Sequence, residues 1–494
     1  MTRLFFLIIS TIAFSFPLQS QTIQDALRYS RLDFGGTARS MGVGGSMGAL
    51  GTDFAVLSTN PAGLAAYRSS DFMFTPSFKF MTVSSGLTGA GNETTDKRSN
   101  QLLLDNIGYI YASQPVTSKW EAFNFGIGVN KMVDFFEKFS YEGKSKGSII
   151  NRFVEQAEGF DSDNLYPFED ELAFNTLAIY DDNGDNSYES DFQLAPDAVI
   201  QREEEVVMSG AMNELVFSFA GNYNHKLMVG ITLGVPIMRY TIERTYSERD
   251  PDDEVPFFND LTFTEEISTT GAGFNLKVGL IYRPIQMVRV GLAFHTPTRL
   301  QLTDTWQNTF NYDYTDDDGN SDETSQALDG GPFDYSLRTP GRIIGSIAVL
   351  IKRHGFISAE LEYLNYAGNS FDLTEDNSDT FSQQLERSLN QEIDDNLTNA
   401  INFKVGGELA VDIFRIRAGY GMFGTSYAAK SSFDPSYSLG LGMRQESYYL
   451  DVAYKRTSVT NDYSPYALVN PSDEQGINSE SAINKLILTL GFRF

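Results

Sequence analysis

The sequence predicts an all-β protein: a transmembrane antiparallel β-barrel of about 14 strands with an N-terminal glycine-rich plug, or hatch, in its lumen. Three observations predict it. Segments of about ten residues or more alternate apolar and polar side chains from Asp71 to the C-terminus. Their connections alternate between brief turns and long polar loops, and a glycine-dense stretch from Gly35 to Tyr67 precedes the first of them.

Residues 1–20 read as a secretory signal, with Arg3 as the positive region, Leu4 to Phe16 as the apolar run and a short polar exit ending at Ser20. Beyond it no apolar run is long enough for a transmembrane helix. Thr22 to Arg31 fits a short helix. In the plug, expected over 21–70, Asn60-Pro61-Ala62-Gly63 forms a defined turn, because Pro61 fixes its own φ and pushes Asn60 out of the helical region. Glycine at this density lets backbone lie close against backbone.

The barrel is expected over 71–494, with strands near 71–83, 102–112, 120–133, 213–223, 227–247, 261–282, 287–304, 336–351, 355–366, 399–410, 412–423, 435–444, 447–458 and 484–494. The last is clearest: Leu486, Leu488, Leu490, Phe492 and Phe494 share one face, and Lys485, Thr489, Gly491 and Arg493 the other. Brief turns such as Asn224-His225-Lys226 mark the periplasmic end, and long loops, the largest at 134–212, the outside. A soluble β-sandwich would also alternate, but it does not explain the signal, the loop asymmetry and the aromatic C-terminus together. Residues 383–396 read as a helix over the barrel mouth.

Composition narrows function. The chain of 494 residues carries a net charge of −28, 13 % aromatic residues and no cysteine. Acidity argues against nucleic acid, and the lack of cysteine removes disulfides, thiolate metal sites and a cysteine nucleophile. With three histidines and no convincing triad spacing, the chain is expected not to be an enzyme and to need no cofactor or metal. The carboxylates crowd into loops. Asp181 to Ser187 could take calcium but lacks the glycine and terminal glutamate of an EF-hand, leaving a solvated loop or divalent bridging to lipopolysaccharide.

Arginine on the lipid face at the bilayer midplane costs about 2–4 kcal/mol, so Arg289, Arg415, Arg417 and Arg493 are expected to turn inward, with His295 sharing the parity of Arg289. Two readings stay open. The arginines pack and pair with the plug, for example with Asp33 or Asp53, or they bind the carboxylate of an amphipathic ligand in the lumen.

The chain resembles the FadL/TodX family of outer-membrane transporters for hydrophobic compounds. The resemblance rests on Asn60-Pro61-Ala62 after the glycine-rich stretch, on Gly271 to Thr298, on Thr339-Pro340-Gly341-Arg342, and on Asp434-Pro435 to Tyr454 with the aromatic C-terminus. It implies uptake of long-chain fatty acids or hydrocarbons through a plugged barrel of the Gram-negative outer membrane. The ligand would leave sideways at a kinked third strand, where Gly126 and Gly128 could permit the bend or merely relieve crowding. The expected partners are a hydrophobic small molecule, outer-membrane lipid and lipopolysaccharide, and the expected state is a monomer. The plug segment also resembles PorV-type barrels, adaptors of type IX protein secretion, for which the acidic loops would be a docking surface.

Overall fold

Fourteen antiparallel staves close into one barrel in the computed structural model. It describes residues 22–494 apart from 90, 116–118, 317, 374–379, 431 and 470–473, together with the side chains of 381 and 462. The expected signal segment lies outside the described residues.

The plug comes first, with helices α1 (Ile23–Ser30) and α2 (Ala38–Gly42) and 3-10 turns at Phe54–Leu57 and Pro61–Ala66. Thr22 caps α1 in a reciprocal box with Asp25. The wall follows in chain order: β1 (Asp71–Leu87), β2 (Thr95–Ser113), β3 (Trp120–Asp134, continued by Glu137–Lys146), β4 (Val199–Tyr223), β5 (Leu227–Arg249), β6 (Phe258–Ile285) and β7 (Val288–His295, then Thr298–Thr315). It continues through β8 (Phe333–Thr339, then Arg342–Leu350), β9 (Gly355–Asn365, then Ser370–Asp372), β10 (Asn399–Val411), β11 (Phe414–Gly424), β12 (Phe433–Arg444), β13 (Tyr448–Tyr463) and β14 (Ile477–Arg493). The ladder from Asp71↔Arg493 to Leu87↔Ile477 closes it, so neither end strand is left open to lipid.

Period-two alternation sorts each stave into two faces. On β1, Phe72, Phe74, Phe78 and Phe80 point outward, while Met73, Thr75, Ser77, Lys79 and Met81 are buried inside. Val290, Leu292, Phe294, Phe414, Ile416, Leu439, Leu441, Leu490 and Phe492 continue the exposed apolar band around the wall. Such a band is at home only in hydrocarbon, so this is a membrane-spanning barrel of the outer-membrane type.

The expected 134–212 loop is corrected. β3 runs on to Lys146 and β4 begins at Val199, paired from Glu137↔Met208 to Lys146↔Val199, so the irregular segment is 147–198. The run Glu203-Glu204-Glu205 hid the strand, since above the membrane both faces can be polar. The expected 305–335 loop is likewise mostly strand, because β7 runs on to Thr315 and Ser321–Asp329 folds back on it from Ser321↔Thr315 to Asp329↔Gln307. β7 and β8 break at one level, at Thr296-Pro297 and Pro340-Gly341, where proline offers no ladder donor.

Helices α3 (Ile150–Ala157) and α4 (Asp170–Asn175) form a cap whose core, including Phe153, Leu172 and Ile179, packs on Phe263, Phe310 and Tyr312. Helix α5 (Thr380–Asn396) lies over the mouth with Leu385, Leu389 and Ile393 in the same cluster as Ile23 and Leu27 of α1.

Candidate functional site: plug, lumen cavity and the parting of two strands

The plug is seated by Asn60. Its side-chain amide donates to the carbonyl of Gly48 at 2.6 Å and of Leu280 at 3.3 Å, and its Oδ1 accepts the Ala62 N–H at 3.2 Å. Pro61 opens the 3-10 turn, and Gly63 closes it by donating to the Asn60 carbonyl at 2.9 Å. Gly63 also lies against Gly51, whose φ of +76° favours glycine. Two wall glycines complete the socket. A Cβ on Gly279 would stand 2.0 Å from Asn60 Oδ1, and one on Gly230 2.4 Å from the Pro61 carbonyl. Sequence reasoning missed both, although each is a glycine on the inward parity of a wall strand.

The predicted basic residues do turn inward, but they do not meet around one ligand site. Arg289 donates to the Leu50 carbonyl of the plug. Arg417, fully buried, bonds Glu408 at 2.6 Å and Asp451 at 2.7 Å. Arg415 donates to the carbonyls of Asp412 and Phe414 at 2.7 Å each, near Glu408 at 4.0 Å. Arg493 lies 3.9 Å from Asp71 and over the Tyr449 ring. His295 shares a 2.7 Å hydrogen bond with the Thr59 carbonyl, edge-on to Phe34. The two plug carboxylates expected to pair with these arginines go elsewhere: Asp33 pairs with Lys455, and Asp53 accepts from Thr37 at 2.7 Å. Burial pushes the Asp53 carboxyl up against the opposing pull of Arg39.

Above the plug is a cavity of about 560 Å³, roofed by the cap and floored by α1. Phe139, Val206, Met208, Ile242, Phe263 and Ile267 give it an apolar side. Its basic side chains are already matched. Arg28 pairs with Asp25 and lies over the Tyr240 ring, and Arg152 is held by both oxygens of Glu169 at 2.7 and 3.1 Å. Arg244 bonds Glu204 at 3.0 Å, Glu265 at 2.9 Å and the Pro465 carbonyl at 2.7 Å. The sequence places ligand-binding arginines lower in the barrel; α1, already read as helical, was the signal pointing here.

The wall departs from regularity between β2 and β3. β2 pairs with β1 from Thr95 to Ile110, yet with β3 only from Asn106↔Asn130 to Ser113↔Phe123. The ladder is regular through Ile110↔Gly126 and Gly108↔Gly128, so the bend is not at these glycines. They relieve crowding instead: a Cβ at Gly126 would meet Leu57 of the plug, and one at Gly128 would meet both the Ile107 carbonyl of β2 and Phe54 of the plug. The strands part beyond Asn130, where β3 also slips register on β4 between Lys131 and Val133. β3 then leans inward across the lumen face of β1. Lys79 reaches Asp134 at 2.7 Å and the Phe136 carbonyl at 2.6 Å, and Phe139 packs on Met81 and Val83.

At the parting, the plug takes the place of the missing strand. Gly35 donates its N–H to the Lys131 carbonyl at 2.8 Å, and a Cβ there would press on Lys131 and the Asp105 carbonyl. Ser99 Oγ, Gln101 Oε1, both side-chain polar atoms of Asn106 and Asn130 Oδ1 are buried around it without a hydrogen-bond partner among the described residues. Leu102 and Leu104, exposed on β2, place the interruption of the ladder within the apolar band, at its outer edge. The suggested calcium loop is self-contained: Asp181 accepts the N–H groups of Gly184, Asp185 and Asn186, and among the described residues no group of three His, Cys, Asp or Glu side chains is arranged to hold a metal.

These features define a plugged, fourteen-stranded transmembrane barrel. Within that class the fold is that of a FadL homologue from Pseudomonas aeruginosa, matched at a TM-score of 0.55 and 13 % identity over 93 % of this chain and 98 % of that one. The toluene transporters TodX of Pseudomonas putida and TbuX of Ralstonia pickettii match at TM-scores of 0.48 and 0.48, each at 13 % identity, over 93 % and 94 % of this chain and 98 % and 99 % of theirs. No family model matches the chain, and no curated protein matches it in sequence.

Proposed function

We propose that this barrel takes up hydrophobic small molecules across the outer membrane, holds them in the cavity above the plug and releases them sideways into the membrane where β2 and β3 part. The observation that carries the reading is the loss of the β2–β3 ladder above Asn130, within the apolar band and in contact with the plug. A hydrocarbon that has passed the polar sugar layer gains about 0.8 kcal/mol per buried methylene on entering lipid, so a passive lateral route suffices.

Neutral hydrocarbons fit better than fatty acids. Arg28, Arg152 and Arg244 each already have a carboxylate, so a ligand carboxylate entering the cavity would have to displace one. The test is to bridge the parting. Leu103 and Met132 both turn into the lumen on either side of the parting, and the sequence contains no cysteine to interfere. The variant L103C/M132C, joined by a short reducible crosslinker, is expected to lose uptake of a labelled alkane or toluene in cells and regain it on reduction. Unchanged uptake in the joined state refutes the route. Co-purification of stoichiometric protein cargo without any uptake would point to the secretion-adaptor reading instead.

A further inference from the structure

The plug has a second side. Below it, at the short-turn end, a vestibule of about 590 Å³ is lined by Arg68, Arg283, Arg289 and Arg493 together with Glu121 and His225. We propose that this vestibule binds a phosphate oxyanion, either free or as the headgroup of an anionic phospholipid of the inner leaflet.

Several buried bases elsewhere in the barrel are matched: Lys277 with Glu214, Arg342 with Glu362, Lys404 with Glu360, Arg417 with Asp451. The vestibule differs in gathering four arginines around one cavity. In the vestibule Glu121 is engaged by His225 at 3.2 Å, and Asp71 lies 3.9 Å from Arg493 while accepting from Tyr449. Among the described residues Arg68 and Arg283 make no ion pair; Arg283 reaches only the His225 carbonyl at 3.5 Å and Met228 Sδ at 3.6 Å, Arg289 the Leu50 carbonyl, and the Nε atoms of both Arg283 and Arg289 are buried without a partner. Arg289 shares the cavity with three further like charges, Arg68, Arg283 and Arg493. Unmade guanidinium bonds and mutual repulsion are both relieved by one multivalent oxyanion, and the planar fork of arginine suits phosphate.

The position suits a headgroup. Trp120 and Tyr223, with ring centroids 5.3 Å apart, and exposed Tyr282 mark the membrane interface at this end. On the lipid-facing side of the same strands, Phe123, Phe125, Phe219 and Ile231 line an apolar groove of about 570 Å³ fit for an acyl chain. The inference does not depend on the uptake reading.

The test uses the full-length barrel in detergent. Retention of phosphatidylglycerol against phosphatidylcholine is read by native mass spectrometry, and binding of inorganic phosphate by calorimetry. The wild type is expected to retain phosphatidylglycerol at least tenfold better than phosphatidylcholine, and R68Q/R283Q to lose that preference while keeping its heat-modifiable mobility. Phosphate binding lost in the variant, without a lipid preference, assigns the free anion. K226Q, which removes a charge from the same rim outside the cavity, is expected to bind as the wild type does. Equal loss in K226Q, undiminished binding in R68Q/R283Q, or no binding of either probe by the wild type overturns the proposal.

Discussion

If the lumen cavity prefers neutral ligands because its arginines are already satisfied, then releasing one of them should create affinity for a carboxylate. Arg244 is the residue to release, since it faces the cavity and divides its guanidinium between Glu204 and Glu265. The double variant E204Q/E265Q keeps side-chain shape and the acceptor for Tyr463 OH, while removing both negative charges. Arg244 would still hold the Pro465 carbonyl, while its Nε and Nη1 would face only neutral amide oxygens, which a ligand carboxylate displaces more readily than a carboxylate. A hydrogen bond to a charged group contributes about 1.5–3 kcal/mol. At about 1.4 kcal/mol per tenfold, that is roughly 10- to 150-fold in Kd for a fatty acid. The side chain of Arg244 is 21 % exposed, so the lower half of the range is expected. Displacement of a fluorescent fatty acid from the purified barrel reads the gain, and a fatty alcohol of equal chain length serves as the neutral control. The alcohol should bind both proteins alike. A wild type that binds the acid as tightly as the variant does would refute the argument from paired charges.

Two further perturbations address the plug and the cap. Gly279→Val places carbon where Asn60 Oδ1 now sits, and overpacking of this kind costs about 1–3 kcal/mol, so the thermal midpoint should fall and planar-bilayer recordings should show bursts of ion conductance as the turn loses its seat. A silent, fully stable variant would show that the plug is held elsewhere. In the cap, burial pushes the Asp170 carboxyl up to about 6, against the Tyr166 N–H that it accepts. The folded cap thus binds the proton more tightly than the unfolded segment, so its stability is greatest below pH 4 and is lost as pH rises towards 6 and beyond, by up to about 3 kcal/mol. The protection factors of 147–198, with the intrinsic pH dependence of exchange divided out, should therefore rise on acidification, and D170N should flatten that rise; an unchanged slope in D170N would place the titrating group elsewhere.

The wall was legible because hydrocarbon imposes period two on whatever faces it. Phe72 to Phe80 on β1 and Leu486 to Phe494 on β14 alternate as read, and the inward arginines follow from the cost of burying charge in lipid. Above the membrane that constraint lapses. Glu203-Glu204-Glu205 and Asp322-Glu323 sit in strands whose partners are equally polar, and apolar alternation cannot find them there. The candidate site was less legible still, because parity gives the side of the wall and not the height or the neighbour. His295 and Arg289 point inward as expected, yet they meet plug carbonyls rather than a ligand, while Arg244 and Phe139 reach the cavity from segments read as strand end and loop.

The parting of β2 and β3 shows why glycine counting in the third strand points to the wrong spot. A glycine permits a bend but does not produce one; a force must draw the strand away from its neighbour. Here the force is on the lumen side, where Lys79 binds both Asp134 and the Phe136 carbonyl and Phe139 joins Met81 and Val83. These contacts begin just beyond Asn130, where the ladder ends. The backbone groups left behind would be costly in lipid, and the plug offsets part of that cost by offering the Gly35 N–H to Lys131. Gly35 can come so close because it has no side chain, and a Cβ would press on Lys131 and the Asp105 carbonyl at once. The glycine-rich segment is therefore seated in the lumen at Asn60 and touches the wall at Gly35, where the β2–β3 ladder is interrupted, so one segment contacts both the socket and the interrupted edge.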